Sequence, residues 1–155
     1  RDSRNTMLRI GRNLFVHAGL SARLLERNLE MDTLNARMSE GLYRTSKERR
    51  EDPTLEFLYR SAGPVWYRGM VCTDEKYDPL TPEQTDALLR RYDADRLLIG
   101  HTIFPDISTF HDGRVIAVNV QNERNRRKNR GRAVLIEGSR ISVVGNRGVK
   151  RVLEE

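Results

Sequence analysis

The chain of 155 residues contains a single cysteine, Cys72. That excludes an internal disulfide and is in keeping with a reducing compartment, though compatible with any. Cys72 itself reads as a small, semi-buried hydrophobe. No apolar stretch approaches the roughly 20 residues that a membrane-spanning helix needs, so no transmembrane segment and no membrane partner are expected. No signal peptide is visible, which leans toward the cytoplasm and leaves secretion undecided. Hydrophobic residues make up 37% of the chain and charged residues 32%. That is polar for a globular domain, as expected of a part that leans on another part. The length suffices for one domain burying roughly 70% of its unfolded surface.

Negative charge falls short of positive, 22 acidic residues against 28 lysines and arginines, and the net charge is +6. The excess is local. Between Glu123 and Arg132 lie Arg124, Arg126, Arg127, Lys128, Arg130 and Arg132, six cations against Glu123 alone, so about +5 of the excess sits in one stretch. Such a run binds nucleic acid in some proteins and is a solvated loop in more. Here it lacks the interleaved aromatics that stack on bases. Nucleic acid is therefore not the expected partner, and a loop that attracts anionic substrates is the preferred reading.

What the chain does have is two histidines in one kind of setting. His17 closes the apolar run Leu14-Phe15-Val16, and His101 follows Leu97-Leu98-Ile99-Gly100. Each run is short, apolar and bounded by small residues, which predicts a buried strand with its histidine at the C-terminal end. That edge of a layered α/β protein is where ligands and metals gather. Neutral imidazole is also a common metal ligand. Two ligands to one metal, or two satisfied core histidines, both fit the spacing.

The rest of the pattern predicts a first strand over about 8–16, then a helix capped by Ser21 and carrying Leu24, Leu25, Leu29, Met31, Leu34 and Met38. The polar run from Thr45 to Glu51 is a turn or a solvated helix start. Asp52-Pro53 is a clearer start, an N-cap followed by proline at the first helical position. Thr81-Pro82-Glu83-Gln84 adds a capping box to the same signal. A strand over 96–99 follows. His111-Asp112-Gly113 is a turn before a strand over 115–120, and 133–136 and 141–144 form a hairpin.

Val16-His17-Ala18-Gly19-Leu20 and Ile99-Gly100-His101-Thr102 resemble the last two metal-binding blocks of the calcineurin-like metallophosphoesterases. Between them, Gly63-Pro64-Val65-Trp66-Tyr67-Arg68-Gly69 resembles a block in the bacterial branch of the phosphoprotein phosphatase superfamily. That branch includes the Shewanella-like phosphatases and the diadenosine tetraphosphate hydrolases. The likeness runs from about Leu8 to about Val144. The family's N-terminal Gly-Asp-x-His, Gly-Asp-x-x-Asp-Arg-Gly and Gly-Asn-His-Glu blocks have no counterpart here, since the chain has no Gly-Asp pair and its third histidine, His111, lies in a turn. The chain starts at Arg1, mid-pattern. The resemblance thus implies that residues 1–155 are the C-terminal half of a single metallophosphoesterase domain, partnered by its N-terminal half and inactive alone. The implied fold class is α+β: part of a two-sheet β-sandwich flanked by helices, with helices in the front half and antiparallel strands at the back.

By the same resemblance the parent is a metal-dependent phosphoesterase that hydrolyses phosphomonoesters, phosphoproteins among them, through a dinuclear site. Two divalent ions (manganese, iron or zinc) activate water and neutralise phosphate oxygens. His17 and His101 would bind one of them, each imidazole fixed by a partner on its other nitrogen, with Asp106 a candidate for His101. Arg68 would hold the phosphate, because a planar guanidinium grips two oxygens at once. Its alternative is a surface arginine packed on Trp66. Where the family has an aspartate-threonine-glycine-like run, this chain has Val118-Asn119-Val120-Gln121-Asn122. The alternative functions are a dinucleoside polyphosphate hydrolase and a non-catalytic binding module that retains the fold.

Overall fold

Gly11 breaks the first apolar run in two. It takes φ +57°, a region that glycine enters without cost, and turns the chain between β1 (Met7–Ile10) and β2 (Asn13–Val16). The expected single strand is therefore an antiparallel hairpin, with Met7 opposite Val16. The computed structural model describes residues 4–154; Arg1, where the mid-pattern start was read, lies outside them.

The helical stripe after Ser21 is likewise divided. Asn28 enters the left-handed region at φ 48° and ends α1 (Arg23–Arg27), and α2 runs over Met31–Gly41. Ser21 does not cap; its hydroxyl donates to the Ala62 carbonyl at 2.8 Å. The run after Thr45 is helical: α3 (Ser46–Glu51) starts at a capping box between Thr45 and Glu48. Asp52 caps α4 (Pro53–Tyr59), and Thr81 with Gln84 caps α5 (Pro82–Arg91), as their sequences predict. One turn of 3₁₀ helix spans Glu75–Tyr77.

Strand β3 (Arg96–Ile99) pairs in parallel with β2, Val16 opposite Ile99. The hairpin β4 (Ser108–Phe110) and β5 (Val115–Ala117), turned by His111-Asp112-Gly113, adds β5 in parallel to β3. The resulting five-stranded sheet has the order β1-β2-β3-β5-β4. Its outer strand β1 is closed off by a buried side chain of α2. Asn35 Oδ1 accepts from the backbone N–H groups of Thr6 and Met7 at 2.9 and 2.8 Å, and its Nδ2 donates to the Met7 carbonyl at 2.9 Å. An amide side chain thus stands in for one peptide of a further strand.

The two faces of this sheet are both covered. Leu14, Val16, Leu97, Ile99, Val115 and Ala117 pack under helical residues such as Leu24, Leu34, Leu58 and Leu88. Leu98 and Ile116 face Ile141 and Val143 of a second sheet. That sheet is antiparallel, β6 (Arg132–Glu137), β7 (Arg140–Gly145) and β8 (Gly148–Glu154). Burial on both faces explains why β2 and β3 read as unbroken apolar runs.

The architecture corrects the expected one. In place of part of a two-sheet β-sandwich flanked by helices, with its antiparallel strands at the back, the chain forms an α+β domain. Helices, a mixed five-stranded sheet and a small antiparallel sheet are layered in that order. The strand runs gave no sign of this because pairing direction follows from the connections. The β2-to-β3 connection carries five helices and must cross over, whereas β4 to β5 needs only a tight turn. The basic stretch is not a loop either, since α6 (Asn122–Arg127) occupies its first half. Among the described residues no helix is long and apolar enough to cross a membrane.

Candidate active site

The parallel ladder carries both histidines to one place. Beyond Val16 and Ile99 it continues through Gly100 N–H, which donates to the His17 carbonyl at 2.8 Å. A Cβ on Gly100 would stand 3.3 Å from that oxygen, so glycine suits the approach. His17 Nε2 and His101 Nδ1 then meet at 3.1 Å, sharing one hydrogen bond although the residues are 84 positions apart. Their rings stand edge to face, centroids 5.1 Å apart.

His101 is held in a strained turn. Its φ is +60°, and Thr102 N–H donates to the Gly100 carbonyl at 2.7 Å, closing a three-residue turn around it. A side chain in that region costs on the order of 1–3 kcal/mol, and such costs gather at working sites. The strain aims the imidazole at His17 and at Trp66, whose ring meets it edge-on at 5.5 Å. His101 Nε2 is buried and has no hydrogen-bond partner among the described residues. Asp106 does not supply one: its Oδ1 accepts from Ile107 N–H at 2.8 Å and from Arg132 Nε at 3.0 Å.

Arg68 reaches the same spot from the Gly63–Gly69 segment. That segment is tied beneath β2 through the Pro64 carbonyl, which accepts from Ala18 N–H at 3.0 Å. Gly63 permits the tight turn, since a Cβ there would fall 2.0 Å from the Leu58 carbonyl oxygen. Tyr67 is buried and its hydroxyl donates to the Asp78 carbonyl at 2.5 Å, passing so close to Gly69 that a Cβ there would clash at 2.2 Å. Burial and the Asp78 carboxylate hold the Tyr67 phenol well above its ordinary value, so it stays neutral. With Tyr67 anchored inward, Arg68 points the other way and donates from Nη1 to Thr102 Oγ1 at 3.4 Å. Among the described residues no cation–π contact joins it to Trp66, so the stacked-surface alternative is not what forms.

Arg68, Trp66 and Tyr67 line one side of a cleft of about 540 Å³ that also meets Arg23, Arg60, Lys76 and Tyr77. His17 borders a second, more apolar groove of about 750 Å³ walled by Leu8, Phe15, Leu98, Val118 and Val134. The basic stretch from Glu123 lines neither, so it is not the source of cations at this site. His111, the third histidine, is engaged elsewhere through Nε2 and the Met70 carbonyl at 3.0 Å. Cys72 packs against the main core.

Burial, the charge of Arg68 and the neighbouring His17 all push the His101 pKa below its ordinary value near 6.5. His101 is therefore neutral at pH 7. Because the folded-state value lies below the unfolded one, the unfolded chain binds more protons between the two. Stability is fully present above about pH 6.5 and is lost as pH falls through the folded value. Thermal melts from pH 8 to pH 5 should show that decline, and His101→Gln should flatten it. An identical slope in the variant would assign the effect to other groups.

No family model and no curated protein sequence matches this chain. Solved structures do. A cold-active protein tyrosine phosphatase solved at 1.1 Å shares 26% identity over 96% of this chain and 41% of its own, with TM-score 0.83. The cold-active protein-tyrosine phosphatase of a psychrophilic Shewanella species gives 26%, 96% and 43%, with TM-score 0.84. The chain shares their fold. It spans about two-fifths of their length.

These neighbours overturn the calcineurin-like family expectation, since what the fold matches is named a protein tyrosine phosphatase. The expected metal centre is not borne out either. Among the described residues no three histidine, cysteine, aspartate or glutamate side chains converge as a metal site. His17 Nε2 and His101 Nδ1 also spend their facing positions on each other, so the expected manganese, iron or zinc pair does not fit the donor set present. Thr102, which bonds Arg68, was missed, although a glycine-histidine-threonine run closing a strand was the available signal.

Proposed function

We propose that the full-length protein is a phosphatase acting on aromatic phosphomonoesters, phosphotyrosine in proteins above all. The observation that carries the reading is the His17–His101 couple, with His101 against Trp66 and Arg68 bonded to the adjoining Thr102, where Trp66 and Arg68 line an aromatic-walled cleft. Hydrolysis joins water to phosphorus, breaks the P–O bond and returns a proton to the leaving phenol. Arg68 is the group for the phosphate, presenting paired N–H donors to its oxygens. The histidine couple, sharing one hydrogen bond, is the group for the proton, relaying it between water and the leaving oxygen. Tyr67 and Gly69 fix the direction of Arg68, and the Gly100–Thr102 turn fixes that of His101. The names of the solved neighbours support the substrate class.

The same reading gives the apolar groove beside His17 to a second part of the protein, the expected N-terminal half. The matched structures are more than twice as long as this chain, which supports that assignment. The full-length protein should release phosphate from a phosphotyrosine peptide and from p-nitrophenyl phosphate, and the 155-residue chain alone should not. Failure of the full-length protein on every phosphomonoester tried would overturn the reading.

A further inference from the structure

We infer that the cationic groove around Trp66 selects phosphopeptides with acidic residues on both sides of the phosphorylated position. The inference deepens the phosphatase reading and rests on it. Two clefts, of about 540 and 440 Å³, share Tyr59, Arg60 and Trp66 and so form one surface. Their linings hold six cations, Arg23, Arg60, Arg68 and Lys76 in the first and Arg49 and Arg50 in the second, against two carboxylates, Asp78 and Glu56. Local pairing does not cancel the excess. Arg60 meets Glu56 at 3.5 Å, Arg23 meets Asp78 only at 4.0 Å and Lys76 meets Asp74, outside the linings, at 2.9 Å, whereas Arg49, Arg50 and Arg68 make no ion pair among the described residues.

One phosphate cannot use this many charges. Arg68 bonds Thr102 next to His101, and the other five lie along the two joined clefts. Trp66, 54% exposed, rises where the two clefts join. An exposed aromatic ringed by cations suits a bound chain that places an apolar contact between carboxylates. Rim charges of this kind act through steering and are screened over about 8–10 Å in ordinary salt.

The test uses the full-length protein and two phosphotyrosine peptides, one flanked by three Asp or Glu on each side and one flanked by Ala and Gln. Fluorescence anisotropy at low salt should show the acidic peptide binding at least ten-fold more tightly, with the advantage shrinking as salt rises. Arg50→Glu, in the second cleft only, should remove most of the advantage and leave p-nitrophenyl phosphate turnover unchanged, which also reports that the variant folds. Arg50→Gln should give a smaller loss. Equal binding of both peptides would overturn the inference, whatever the turnover. Tighter binding of a dinucleoside polyphosphate than of the acidic peptide, lost in the same variant, would overturn it in favour of a nucleotide. Selective peptide binding without phosphate release would uphold the groove and sink the phosphatase reading instead.

Discussion

Replacing Arg68 by alanine should lower kcat/KM for phosphotyrosine peptides by roughly 10²-fold or more, equivalent to about 2.7 kcal/mol of transition-state stabilisation. The guanidinium is half-buried, anchored by Thr102 Oγ1 at 3.4 Å and has no carboxylate partner among the described residues, so its donors are free for phosphate. Arg68→Lys should recover only part of the loss, because an ammonium cannot present two in-plane donors. Thr102→Val, which removes only the anchor, should cost less than Arg68→Ala. Steady-state kinetics on the full-length protein decide this. Full activity in Arg68→Ala would place the phosphate elsewhere.

Replacing either histidine of the couple should cost more, roughly 10²- to 10⁴-fold in kcat, the usual range for a positioned proton-transfer group. The two nitrogens share one hydrogen bond at 3.1 Å, and in the proposed mechanism they act as a unit. The double variant His17→Ala with His101→Ala should therefore be little worse than the poorer single variant. Multiplicative losses would mean that the histidines work independently. The pH profile gives a second reading. With His101 held below its ordinary value, kcat/KM in the wild type should fall only when pH drops below about 6.5. That limb should be missing in the His101 variant.

How legible was this site? The two apolar runs carried enough to place His17 and His101 at strand ends, since an unbroken apolar run and small flanking residues are local properties. Asp52-Pro53 and Thr81-Pro82 located two helix starts for the same reason: capping is decided within four residues. What failed was everything that depends on partners. Gly11 was counted inside a strand although a positive φ there makes a hairpin, and Asn28 inside a helix although it ends one. The direction of β2–β3 pairing was hidden because nothing within either run depends on it. The three motif blocks were sound guides to geometry and poor guides to family and metal. They record where a histidine or an arginine sits, whereas a metal needs a third and fourth ligand that the described residues do not gather. The groove around Trp66 was invisible because its cations come from five separate places in the sequence, while the one dense basic run lies elsewhere.

The distance along the chain between His17 and His101 has a consequence for assembly. Strand β2 pairs with β3 only after the intervening helices have been made and folded back, so the strand edge that carries the site closes a loop of 84 residues. Contacts of such long range are the slow ones to form, and they are the first absent from a partly folded chain. A nascent or damaged copy can hold α2, α4 and α5 and still have its two histidines far apart. The histidine couple is therefore a late contact in folding and an early loss in unfolding, so its hydrogen bond reports whether β2 and β3 have paired.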